Sequence, residues 1–298
     1  MTVGELWFSP RIFREHDDDP ASLSDDAKAF RDEAHRRVTA TIAAGGDPGA
    51  GNRVRLIGYD TLLEEEHYAG FPQEFFSVPG HVVQMLDGKD LAGEFRAFIH
   101  APFKKDEIVG DRNDTSLAMQ VVLGDDPSVG GVLLFGDLKY PTIRKIFDNS
   151  IAAGNEENLM WQVLLAPHHC SKSVMYQTED DKLVLKQDML DDFEKYQVGA
   201  GYIVASANSI PTSNNDGDNP PHALARARYQ EIATGGFVCT HDDGEHAEPV
   251  RFSIDGTNID YAERKQLATA AAGLAAAVKD ARGSDETPTT KVGFGWGN

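Results

Sequence analysis

Three short stretches in the middle of the chain carry residue types that can hold a cation or move a proton. Arg112-Asn113-Asp114-Thr115-Ser116-Leu117 stands just before an apolar run. Leu133-Leu134-Phe135-Gly136-Asp137 is an apolar run that closes on a glycine and a carboxylate. Val163-Leu164-Leu165-Ala166-Pro167-His168-His169-Cys170-Ser171 closes on two imidazoles. A carboxylate can bridge two ions and an imidazole supplies a neutral nitrogen, so an Asp and a His at the ends of neighbouring buried strands are donors for a divalent metal. Each stretch also has a structural reading. Asn-Asp-Thr-Ser makes turns and caps, Gly-Asp after a strand makes a βα loop with an N-cap, and partly buried histidines are commonly satisfied within the core. Their order and spacing together carry more than any one of them.

The surrounding pattern supplies elements to position these residues. Glu5 to Pro10 reads as a short buried strand, Ser22 to Ala44 as a helix capped by Ser24, and the Gly/Pro run from Gly45 to Gly51 as its break. Val54 to Tyr59 is the next expected strand, and residues 61–93 read as a short helix followed by a hairpin. Strands are then expected at Phe95 to His100, Leu117 to Leu123, Val132 to Phe135, Val163 to Ala166, Tyr202 to Ala205, Phe237 to Thr240 and Val250 to Ile254. Helices are expected at Tyr140 to Ile151 with Pro141 in the first turn, Lys182 to Tyr196, Pro221 to Ile232 and Tyr261 to Ala281, and Gly283 to Asn298 reads as a flexible tail. Strands interleaved with helices, without an internal repeat, make an α/β protein.

Composition excludes several classes. The 298 residues hold 48 acidic and 28 basic side chains, a formal charge of −20, which argues against bulk attraction to nucleic acid or anionic membrane. A phosphate-containing substrate stays open, because bound metal ions reverse the sign inside a cleft. Lys104-Lys105 and Arg144-Lys145 are isolated basic pairs and not a nucleic-acid stripe. Cys170 and Cys239 are too few for a disulfide framework or a Cys-rich zinc module. Met1 to Pro10 lacks the basic start and apolar stretch of a signal peptide, and Leu267 to Val278 is too short to span a bilayer, so a soluble cytoplasmic protein is expected. A serine or cysteine hydrolase is disfavoured, since no GxSxG elbow exists, and Gly45 to Gly51 lacks the Lys-Ser/Thr of a phosphate-binding P-loop.

The order Asn113-Asp114-x-Ser116-Leu117, then Gly136-Asp137, then Pro167-His168-His169-x-Ser171 resembles the metallo-β-lactamase fold, in particular the hydrolase domain of ComEC-type competence proteins. Downstream, Ser206, Asn208, Pro220-Pro221-His222 and Thr240 with Gly244 resemble that subgroup's later motifs, with the Pro/His order changed. The likeness covers roughly residues 5 to 255. It implies a partial αββα sandwich over 1–255, with 256–298 as a C-terminal helix and tail. It also implies zinc or another divalent metal at the strand ends. Asp137 would match the bridging carboxylate and act in catalysis. His169 would be a ligand and His168 would face substrate, with the two roles open to exchange. Asn113, Ser116, Ser171 and His222 would border the substrate or support the site. The substrate class implied is a phosphodiester of nucleic-acid type, which the charge does not support.

Two departures qualify the likeness. Cys170 stands where the subgroup has Gly, so its side chain would crowd the loop or its thiol join the metal shell. The HxHxDH motif that supplies the fold's first ligands is absent, and the nearest acidic–His cluster, His16-Asp17-Asp18-Asp19, reads as a solvated loop. A zinc site takes about four ligands, so Asp137 and one histidine would not complete it. Two expectations follow. Either a partner chain or a second copy supplies the first-half ligands and covers a sheet edge otherwise left unpaired, or the chain is a degenerate, non-catalytic binding or regulatory partner.

Overall fold

The computed structural model describes residues 3–108, 111–124, 126–215, 217–242, 249–254 and 259–262, which divide into two units. The first comprises residues up to Ser77 together with Leu86–Lys89; the second comprises Val78–Met85 and Asp90 onward.

In the first unit, strands β1 (Glu5–Phe8), β2 (Arg53–Ile57) and β3 (Phe76–Ser77) pair in parallel, in that order. Helix α1 (Arg11–Asp18) and the 20-residue helix α2 (Asp25–Ala44) lie between β1 and β2 in sequence. Helix α2 begins where the sequence places its cap: Ser24 Oγ accepts from Ala27 N–H at 3.2 Å, and Asp25 and Asp26 occupy the first turn. It ends on Gly45 in the left-handed region (φ 61°), whose N–H donates to Thr41 O and Ile42 O. Ser24→Ala is expected to cost about 1 kcal/mol, read as a lower urea midpoint at unchanged slope; no shift in that midpoint would refute the cap.

Helix α1 corrects the loop expected around His16-Asp17-Asp18-Asp19. Its apolar side buries Phe13, Arg11 pairs with Glu15 one turn on at 3.0 Å, and Asp17 Oδ2 lies 2.7 Å from His67 Nε2. The expected helix within 61–93 is a series of 3₁₀ turns at Leu62–Glu64, Glu66–Tyr68 and Gln73–Phe75. The hairpin follows as β5 (Met85–Leu86) and β6 (Lys89–Asp90), after β4 (Val82–Val83).

The second unit is built on a seven-stranded mixed sheet of β4, β7 (Arg96–Ala101), β8 (Ala118–Val122), β9 (Gly131–Leu134), β10 (Trp161–Leu165), β13 (Gln197–Ala205) and β14 (Gly236–Cys239). Their order across the sheet is β14-β13-β10-β9-β8-β7-β4. From β9 to β14 every pairing is parallel, and from β9 to β4 every pairing is antiparallel. The antiparallel half also carries a short helix, α3 (Lys104–Ile108), after β7.

The parallel strands read as continuous apolar runs because both faces are covered. One face packs Leu133, Leu164, Ile203, Ala205 and Cys239 against helices α4 (Tyr140–Ala152), α5 (Gln187–Lys195) and α6 (Ala223–Ile232). Side chains one residue out of phase, Val132, Val163, Leu165, Tyr202 and Val204, meet the hairpin of β15 (Arg251–Ile254) and β16 (Ile259–Ala262). Phe252 and Tyr261 clasp Tyr202 there, with ring centroids 5.4 and 5.9 Å away.

Two expected helices are corrected. Lys182 to Leu185 is strand β12, paired with β11 (Tyr176–Glu179), and only Gln187–Lys195 is helical. Asp180 and Asp181 both have positive φ (48° and 60°), as a two-residue hairpin turn with right-handed strand twist requires. Tyr261 and Ala262 belong to β16 and not to a C-terminal helix; residues 263–298, with the rest of that helix and the tail, lie outside the described residues. No helix among the described residues is long and apolar enough to cross a membrane.

Candidate functional site

The parallel half of the sheet delivers Gly136-Asp137, Pro167-His168-His169, Ser206 and Thr240 to one edge, the carboxyl ends of β9, β10, β13 and β14. In open α/β sheets that edge is where loops diverge and ligands bind. The segment before β8 joins it from the antiparallel side.

Local geometry sets Asp137 and His169 face to face. Gly136 has φ +54°, and a Cβ there would stand 2.7 Å from Ser116 Cβ, so the β9 exit is open only to glycine. Ser116 Oγ then accepts from Asp137 N–H at 3.2 Å while donating to Asn113 O at 2.9 Å. The next loop is held by His168 N–H donating to Gly136 O at 2.8 Å. His168, His169 and Cys170 all have positive φ (49°, 55° and 65°). Non-glycine residues avoid this region by about 1–2 kcal/mol each, so three in a row record a backbone held against its preference, as at binding and catalytic sites.

The turn aims His169 with its roles assigned. Its Nδ1 lies 2.7 Å from Ser206 O, which only accepts, so Nδ1 carries a proton. The Nε2 atom faces Asp137 Oδ1 at 3.4 Å, and the side chains are 47% and 39% exposed, open to an incoming group. A histidine whose Nδ1–H is fixed by a carbonyl and whose Nε2 points at a carboxylate is oriented as metal-ligating histidines are. His168 lies deeper. Burial pushes its imidazole below the usual histidine range, against the attraction of Asp137, and its enclosed Nδ1 has no hydrogen-bond partner among the described residues.

The other expected site residues take different places. Asn113 shapes the turn through its backbone. Ser171 and His222, each 3% exposed, lie beneath the edge. Ser171 Oγ caps the 3₁₀ turn Lys172–Val174, accepting from Ser173 N–H at 3.3 Å. The His222 ring accepts from Lys172 N–H at 3.2 Å and donates to Asp218 O at 3.0 Å. Cys170 turns into the core on the helical face, where burial first and Cys239 second push its thiol up to about 12. Packed there with no exposed surface, its side chain is turned away from the strand-end edge. Thr240 Oγ1 accepts from Ala207 N–H at 3.2 Å, tying the ends of β13 and β14. Gly244 lies outside the described residues.

One polar pair at this edge went unread in the sequence. Lys139, the N-cap of α4, places Nζ 2.5 Å from Asp111 Oδ2, and the charges of both reach His168. Burial raises the Asp111 carboxyl, but Lys139 and the Asn113 N–H bonded to it outweigh that and leave its pKa below the ordinary value. The one available signal was a lysine two residues beyond Gly136-Asp137.

Asp137 and His169 are donors of the kind a divalent cation takes, but no group of three or more His, Cys, Asp or Glu among the described residues is arranged to hold one. The residues present therefore do not by themselves fit a zinc centre of about four ligands. Comparison with family models, curated proteins and solved structures returns no match to this chain.

Proposed function

We propose that this strand-end edge is one part of a metal-dependent hydrolytic centre of metallo-β-lactamase type, in a partial αββα sandwich. The substrate class of this reading is a phosphodiester or related ester. The observation that carries it is the orientation of His169. With Nδ1–H committed to Ser206 O, its Nε2 and the Asp137 carboxylate converge from two different strand ends. Because two donors do not make a zinc site, the hydrolytic step is not assigned to this chain alone. The remaining donors come from a partner polypeptide or a second copy of the chain.

A second reading, a non-catalytic binding or regulatory partner of the same fold, is favoured by the missing third donor among the described residues. In that case Asp137 and His169 are a polar pair that stiffens the loop.

Calorimetric titration of the full chain with Zn²⁺ or Mn²⁺ separates the two. On the first reading the wild type binds weakly, and Asp137→Asn or His169→Ala weakens binding at least tenfold. Wild-type protein that takes up no metal, or variants that bind as well as wild type, would overturn it. A fall in melting temperature for His169→Ala with no metal uptake in any form is the signature of the second.

A further inference from the structure

Both sides of the left-handed turn His168–Cys170 are gripped, and beyond the turn's own bond from Ser171 N–H to Pro167 O at 3.4 Å the exit is held by one residue. On entry, His168 N–H donates to Gly136 O. On exit, His222 N–H donates to Cys170 O at 3.0 Å, and Lys172 N–H donates to His222 Nδ1 at 3.2 Å. The ring is anchored in turn, since Nε2 lies 3.0 Å from Asp218 O and must carry the proton. His222 is 3% exposed and stands at the N-cap of α6, yet its side chain does not cap that helix. Its polar atoms serve the turn instead.

We propose that His222 is the positioning residue for His169. By accepting from Lys172 and donating to Cys170, it fixes the unfavourable turn that aims the His169 ring at Asp137. The backbone donor at 222 is available from any residue except proline. The acceptor at Nδ1 is not, because the part-buried Lys172 N–H is met there by a lone pair that only a short polar side chain at fixed reach supplies. An aliphatic residue leaves the Lys172 N–H orphaned, and the turn relaxes toward an ordinary backbone conformation. The role of His169 at a metal rests on the reading above, but its positioning is measurable without metal.

The test is a long-range ¹H–¹⁵N correlation spectrum of the metal-free full chain, in which the His169 ring gives a single tautomer protonated at Nδ1. In His222→Leu that signature is expected to be lost, by broadening or mixing of tautomers. In His222→Asn, whose Oδ1 can accept in place of Nδ1, it is expected to be kept. A folded His222→Leu with an unchanged His169 signature overturns the proposal, as does loss of the signature in His222→Asn. If the Leu variant does not fold, Asn against Gln decides. Gln sets its acceptor one carbon too far, so only retention by Asn with loss by Gln supports the positioning role. Failure of the wild type to bind metal with the His169 signature intact would remove the hydrolase reading and leave this one standing.

Discussion

Gly136→Ala is expected to lower the free energy of unfolding by about 2–4 kcal/mol, combining the left-handed backbone penalty with overpacking. The position has φ +54°, and the added Cβ would meet Ser116 Cβ at 2.7 Å, Ser116 Oγ at 3.2 Å and Leu117 O at 3.4 Å. The nearest is a Cβ fixed to its backbone, Leu117 O is backbone, and Ser116 Oγ is held by two hydrogen bonds, so the strain has no cheap outlet. The damage should concentrate at the site. Ser116 Oγ holds Asp137 N–H, and Gly136 O holds His168 N–H, so moving one residue releases both sides of the Asp137–His169 pair. Urea unfolding measures the stability, and metal affinity measures the site. A loss under about 1 kcal/mol would mean that the β9 exit adapts, contrary to the close packing described.

Acid lability beginning well above the carboxylate range is the second large effect expected. His100 on β7 is fully enclosed, its Nε2 lies 2.9 Å from Asn158 O, and burial depresses its pKa from 6.5 to about 4 despite that bond. A base with a depressed folded-state pKa binds its proton more readily when unfolded. Its stabilising contribution is complete above the unfolded value of 6.5 and is lost as pH falls toward 4. Over that window the loss amounts to about 3 kcal/mol. His168 and His222 are shifted in the same direction by burial and add to the slope. Paired carboxylates such as Glu33, held near 2 by Arg36 and Arg37, act at lower pH and so separate from the histidines. Unfolding free energy measured from pH 8 to 4 should therefore decline below about 6.5, and His100→Gln should flatten the decline by up to about 1.4 kcal/mol per pH unit. A wild-type profile level between pH 7 and 4.5 would show that His100 is not held neutral in the fold.

Much of the second unit was legible because its physics is local. The runs Leu133-Leu134, Val163-Leu164-Leu165 and Ile203-Val204 are apolar without a break, because helices cover one face of these strands and the β15–β16 hairpin meets the other. Ser24 and Gly45 bounded α2 because orphan N–H and C=O groups at helix ends demand such residues. The segment 176–196 was not legible as a single pattern. The expected helix began inside the paired strands β11 and β12, and the two-aspartate turn between them is recognisable only once the strands pair. Helix α1 was hidden by its run of acidic residues, which are exposed or paired while Phe13 alone buries the apolar side.

At the site, the sequence by itself determined the donor types and the strand ends that carry them, Asp137 after β9 and the histidine pair after β10. Strand ends are set by where apolar runs stop, which is a one-dimensional property. Which imidazole faces outward, which is enclosed, and that His222, Ser171 and Cys170 turn inward were decided only by the tertiary structure. Those outcomes depend on carbonyls and amides at Ser206, Lys172 and Asp218, contributed by segments 37 and 50 residues from the histidines they bond and by one only four residues away. Backbone groups look alike in every sequence, so their hydrogen bonds become readable only after the parallel strands have brought the loops together.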